Sequence, residues 1–139
     1  MAAVARILGP WMFIRNPDRS TNQDLLLMVG GAIVLNREAI DKIGDSLMTI
    51  RVNVWDEDNW SSDDLLTTNQ SLQLGPAFLR DAFLPKCFIV DGIIVPHQTL
   101  NSTDPFWTDK TDVYCKILAS GGGVTTNDAK TNSESVRVD

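Results

Sequence analysis

Between Ile7 and Leu118 the chain keeps returning to one pattern: a short apolar or alternating run, closed by a cluster of Gly, Pro, Asn or Asp. The interval is about ten residues, the spacing of strands in antiparallel sandwiches and barrels. It shows no β-α-β rhythm, since parallel strands need a crossover of a dozen residues or more. The most legible run is Thr49–Trp55, where Ile50, Val52 and Val54 point one way and Arg51, Asn53 and Trp55 the other. That period of two is the signature of a half-buried strand. The expected class is all-β: an antiparallel sandwich or barrel of about seven or eight strands with one or two short helices.

The remaining runs follow the same logic. Ile7–Arg15 is a strand interrupted by Gly9-Pro10, which suits an edge position or a bulge. Asp24–Asn36 places Gly30-Gly31 between two apolar runs, and Cys87–Val95 places Asp91-Gly92 likewise. Both pairs predict two-residue hairpins, because both central residues can take positive φ. The alternative for the first is one long buried strand with a glycine bulge. Asn36 caps a helix over Arg37–Leu47 carrying Ile40, Ile43 and Leu47 on one face. Pro76–Phe83 is a second short helix, started by its proline and stopped before Pro85. Leu66–Leu74 and Asp112–Leu118 complete the strands. From Ser120 the sequence turns to GGGVTTNDAKTNSESVRVD, with too little apolar material to order itself. Residues 1–118 therefore read as one domain, and 119–139 as a polar C-terminal arm that a neighbouring subunit would hold.

Charge and cysteine content exclude several classes. The net charge of −6 argues against a nucleic-acid phosphate surface, which needs clustered Lys and Arg. Cys87 and Cys115 are too few for a disulfide scaffold and sit in apolar runs, so buried free thiols are expected. No window reaches the roughly 18 apolar residues of a membrane-spanning helix. The first residues make a poor secretion signal, broken as they are by Gly9-Pro10. The Asn59, Asn69 and Asn101 sequons then have no secretory route, and the cytoplasm is the favoured compartment.

Catalytic constellations are largely missing from the sequence. The single histidine, His97, has no nucleophile elbow, and two Cys with one His lack a zinc spacing. Gly121–Gly123 precedes no helix and no Lys-Ser/Thr, so it is no phosphate loop. A hydrolase using paired loop carboxylates stays open, behind a non-enzymatic reading. Four tryptophans form a second constellation: Trp11 is expected in the core, Trp55 on its strand's polar face, and Trp60 and Trp107 in loops that could meet a glycan or a protein.

The loop after Trp55 carries the most specific chemistry. Asp56, Glu57, Asp58, Asp63 and Asp64 fall within nine residues, around Trp60. Calcium wants six to eight hard oxygens, which loop carboxylates can supply. The run V-W-D-E-D-N-W-S-S-D-D-L-L resembles the third calcium loop of C2 domains. The resemblance implies Ca²⁺ ligands at Asp56, Asp58, Ser61 and Asp64, with Trp60 as a membrane-inserting tip. It covers about sixteen residues; Thr67 stands where a C2 domain has Gly, and no matching first calcium loop precedes it. Two functions follow as expectations. One is a binding module, calcium-dependent through this loop, presenting Trp60 and Trp107 to a membrane, glycan or protein. The other is a structural subunit of a homo-oligomeric assembly of coat, capsid or filament type, with terminal arms packed on neighbours.

Overall fold

The computed structural model describes residues 1–58, 62–103 and 109–138, apart from the side chains of residues 70 and 71. Its elements in chain order are β1 (Ala5–Ile14), β2 (Leu25–Leu35), α1 (Arg37–Ile43), β3 (Met48–Glu57), β4 (Asp64–Leu74) and α2 (Pro76–Leu79). They continue with β5 (Lys86–Val95), α3 (His97–Asn101), β6 (Lys110–Gly121), β7 (Val124–Thr125), β8 (Ala129–Lys130) and β9 (Glu134–Arg137). One antiparallel sheet has the order β1-β2-β5. The other runs β4-β3-β6, with β7, β8 and β9 taking turns along the outer edge of β6. The two sheets face each other as a sandwich, not as a closed barrel.

The inward parity of each strand makes the core. Leu25, Leu27, Val29, Ile33 and Leu35 of β2 meet Ile50, Val52 and Val54 of β3 and Val113, Cys115 and Ile117 of β6, all buried. The alternation expected for Thr49–Trp55 is thus the observed one. Burying side chains of this size stabilises by about 1.5–3 kcal/mol each relative to exposure.

Neither glycine pair makes a hairpin. β2 runs straight through Gly30-Gly31 and β5 through Asp91-Gly92. Gly30 and Gly31 are absent from the positive-φ residues; they serve close approach instead. A Cβ on Gly30 would lie 2.4 Å from Cζ2 of Trp11, and one on Gly31 would lie 3.2 Å from the Leu8 carbonyl oxygen. At Asp91-Gly92 the register jumps from Val29↔Val90 to Leu27↔Ile93, and Gly92 has φ +76°. This is a β-bulge, the other local use of a positive-φ glycine. Gly9-Pro10 is also a bulge, between Leu8↔Ala32 and Trp11↔Gly30, on an edge strand as expected.

The helices are shorter than their sequence pattern. Asn36 Oδ1 accepts the Ala39 N–H at 2.9 Å, the expected cap, but α1 ends at Ile43, where Gly44 takes φ +57°. Leu47 is left half exposed instead of continuing the apolar face. α3 is a single short turn of helix over His97–Asn101 that buries Leu100.

The largest difference lies after Leu118. β6 continues to Gly121, and the chain then turns back along it, burying Val124, Ala129, Val136 and Val138. The segment expected as an arm on a neighbour is here paired to its own chain. A repeated Thr-Asn pair holds it there. Thr126 donates its N–H to the Ala119 carbonyl and accepts the Ala119 N–H on Oγ1, both at 2.9 Å. Thr131 does the same with Cys115, again at 2.9 Å in both directions. Each following asparagine turns to the other sheet: Asn127 Oδ1 accepts the Ile7 N–H at 2.7 Å, and Asn132 Oδ1 accepts the Met12 N–H at 2.8 Å. The segment therefore satisfies backbone groups on the outer edges of β6 and β1 together, and closes one seam of the sandwich.

Candidate functional site

The acidic end is built on the β3–β4 pair. Asp56 continues the inward parity of β3 and is 4% exposed, opposite Asp64 in the ladder. Its Oδ1 accepts the Asp64 N–H at 2.8 Å. Burial raises its pKa, the Asp64 N–H opposes that rise, and the charges of Asp64, Asp58 and Asp63 reinforce it. Asp63 is fastened too: Oδ1 accepts the Asp58 N–H at 3.0 Å and Oδ2 accepts the Tyr114 hydroxyl. Those bonds hold its pKa below the usual range. Burial and the Asp63 carboxylate together push the Tyr114 phenol upward.

Of the residues expected as ligands, Asp56, Asp58 and Asp64 gather at this end, with Asp56 buried, Asp58 half-buried and Asp64 exposed. Ser61 lies outside the described residues, as do Trp60 and Trp107. Among the described residues no three His, Cys, Asp or Glu side chains converge as a metal cage. The partners that sequence reasoning missed come from the C-terminal segment. Lys130 Nζ lies 4.3 Å from the Tyr114 ring centroid and 3.6 Å from Glu57 Oε1, and the Ser133 hydroxyl donates to Glu57 Oε2 at 3.2 Å. Lys116 lies 5.7 Å from the centroid of Trp55, which sits on the polar face as expected.

Among the described residues, neither the histidine nor a thiol assembles a nucleophile–base pair. His97 Nδ1 lies 2.9 Å from Asp24 Oδ1, and that same oxygen accepts the His97 N–H at 3.0 Å, so the pair ties the start of α3 to the head of β2. Cys115 is buried against Met12, its pKa pushed up to about 12 by desolvation. Both thiols are free as expected, but Cys87 is exposed.

The second candidate is the outer face of the three-stranded sheet. Outward positions pair across it in rows: Leu8–Ala32–Cys87, Trp11–Gly30–Ile89, Phe13–Met28 and Leu26–Ile94. Phe13 is 53% exposed, Ile89 56% and Ile94 51%, with Leu8 and Leu26 also exposed. Trp11, expected in the core, lies instead across Gly30 on this face, which gives that glycine its need for space. Between Leu8, Trp11, Ala32, Cys87 and Ile89 is a depression of about 440 Å³. Charge enters at Arg6 at one end and, toward the other, at Asp91 in the β5 bulge opposite Met28, whose Oδ1 lies 3.6 Å from Arg15 Nε. Three strands about 4.8 Å apart and four rows about 6.8 Å apart give a face of roughly 400 Å², most of it apolar. Contiguous exposed patches of that size on small monomers are often functional.

No family model matches the chain, and no curated protein matches it. A crystal structure of a Bordetella pertussis protein provisionally named ApaA aligns with 99% of this chain and 94% of its own, at 10% identity and a TM-score of 0.37. A likeness that slight carries neither fold nor function to this protein.

Proposed function

We propose that the protein is a non-catalytic interaction module that pairs with a second copy of itself through the outer face of the β1-β2-β5 sheet. The observation that carries this is the apolar face, two rows running across all three strands and two more across a pair of strands, on a chain of net charge −6. Charge repulsion between copies is small there, because the two charges among the rows, Arg15 and Asp91, are opposite in sign and paired.

The rim favours a two-fold contact with β1 of one copy over β5 of the other. In that arrangement Arg15 of each copy lies over Asp91 of its mate, so the pair within one chain becomes a four-membered set across the interface. Two such faces in contact would bury roughly 800–1,000 Å², at the low end for specific complexes. The expected dimer is therefore weak and reversible.

Sedimentation velocity or light scattering from about 5 to about 500 µM tests this, a range bracketing weak affinities. The mass should rise toward twice the monomer, and Ile89→Asp should hold it at the monomer with an unchanged melting temperature. A wild-type chain that stays monomeric throughout, or an Ile89→Asp variant that still dimerises, overturns the proposal.

Calcium in the acidic loop is a second reading, favoured by the gathering of Asp56, Asp58 and Asp64 at one end of the sandwich. It is compatible with the first, since the loop and the apolar sheet face are separate surfaces.

A further inference from the structure

The seam between β9 and the turn after β1 forms a half-open cavity of about 190 Å³, lined by Arg19, Lys110, Arg137 and Ser135 over an apolar floor that includes Leu25 and Val136. Three cations around one cavity is an unexpected concentration in a chain with 12 Lys and Arg against 18 Asp and Glu. Arg19 is the telling member. It is 9% exposed, and among the described residues no carboxylate pairs with it. Nη1 donates to the Ser20 and Gln23 carbonyls at 3.2 and 2.9 Å, and Nη2 donates to the Arg137 carbonyl. These bonds fix the guanidinium between the Arg19–Gln23 turn and β9, but all its acceptors are neutral carbonyls.

A guanidinium carries five N–H donors, and Nε is buried here with no acceptor. Leaving a buried charged donor unmet is costly, and a buried cation without a counter-charge more so. Desolvation and the neighbouring Arg137 charge both weaken the hold of Arg19 on its proton, in the direction expected of a cation short of an anion. The cavity beside it has the volume of about six waters, room for a phosphoryl group with a short stub. Arginine's planar fork suits such oxyanions, and a phosphoryl group supplies both the acceptor that Arg19 Nε lacks and a counter-charge.

We infer that the Arg19–Lys110–Arg137 cavity is a binding site for a phosphoryl dianion. The source is either free phosphate or a phosphorylated side chain; the site does not depend on the dimer face, which lies on the outside of the three-stranded sheet.

Thermal melting of the full chain in phosphate, against chloride at equal ionic strength, tests it. Saturating phosphate should raise the melting temperature by about 3 °C or more. Arg137→Gln and Lys110→Gln should each reduce that gain while melting normally in chloride; they are chosen because Arg19 also holds its turn together. A larger gain with O-phosphoserine than with inorganic phosphate assigns the site to a phosphorylated side chain, and the reverse order assigns it to free phosphate. A gain no greater than chloride gives, or one that Arg137→Gln leaves whole, overturns the inference.

Discussion

Replacing Thr131 with valine keeps the shape of the side chain and removes one oxygen. That oxygen accepts the buried Cys115 N–H at 2.9 Å and donates to the Asn132 carbonyl at 2.9 Å. Thr131 is 6% exposed and Cys115 fully buried, so water cannot readily reach the abandoned amide. Leaving a buried donor unmet costs about 1–3 kcal/mol. The Asn132 carbonyl belongs to an exposed residue and can turn to solvent, so it adds little. For a chain of this size each kcal/mol lowers the melting temperature by about 3 °C, which predicts a loss of about 3–9 °C. Urea denaturation would give the free energy directly, with an unchanged m-value if only the native state is weakened. Thr131→Ser restores the oxygen and should recover most of the loss, while Thr125→Val, on an exposed residue of β7, should stay within about 0.5 kcal/mol of wild type. Thr126→Val repeats the perturbation at Ala119, four residues along β6, and the two losses should nearly add. A Thr131→Val cost below about 0.5 kcal/mol would refute the idea that the threonines stand in for main-chain partners.

Two further outcomes concern the acidic end. Asp56 has its pKa raised, so its ionised form is penalised in the folded state; that penalty is present at neutral pH and fades as pH falls through the folded value. Asp56→Asn keeps an oxygen for the Asp64 N–H and should melt higher than wild type at pH 7, with the gap closing in acid. A variant less stable than wild type at pH 7 would contradict this. For calcium, an ion held at 100 times its dissociation constant would add about 2.7 kcal/mol, several degrees of melting temperature. On the calcium reading that gap should separate melts in calcium from melts in chelator; agreement within about 1 °C would leave Asp56 and Asp63 serving backbone amides and Tyr114 alone. A shift of several degrees that Asp58→Asn abolishes would establish the calcium reading instead.

The parts of the fold legible in the sequence are those where one residue's local chemistry decides the structure. The alternation of Ile50, Val52 and Val54, the Asn36 cap and the Gly9-Pro10 bulge are of this kind. Gly30-Gly31 and Asp91-Gly92 misled because glycine answers several needs. The first pair makes room for Trp11 and backbone, the second forms a bulge, and both requirements come from neighbouring strands. The C-terminal segment was illegible for another reason. Composition measures burial, whereas this segment is ordered as much by hydrogen bonds to two sheet edges, and the repeated Thr-Asn at 126–127 and 131–132 was its visible trace. The apolar sheet face was hidden by its own uniformity. In LLLMVGGAIVL every residue is apolar or glycine, so outward and inward positions could not be told apart without the partner strands.

Asn127 and Asn132 each reach across 120 residues to their partners on β1. During synthesis β1 emerges 120 residues before its asparagine partners, so its edge stays unmet while both sheets are being made. Closure of the seam is thus a late event in the life of each molecule. Until then the β1 and β6 edges present open amides and carbonyls to any strand nearby. A chain interrupted shortly after β6 would keep most of its core and lose its guard against edge-to-edge association. The stretch after β6 acts as a latch on folding, set only after both sheets it joins have been made.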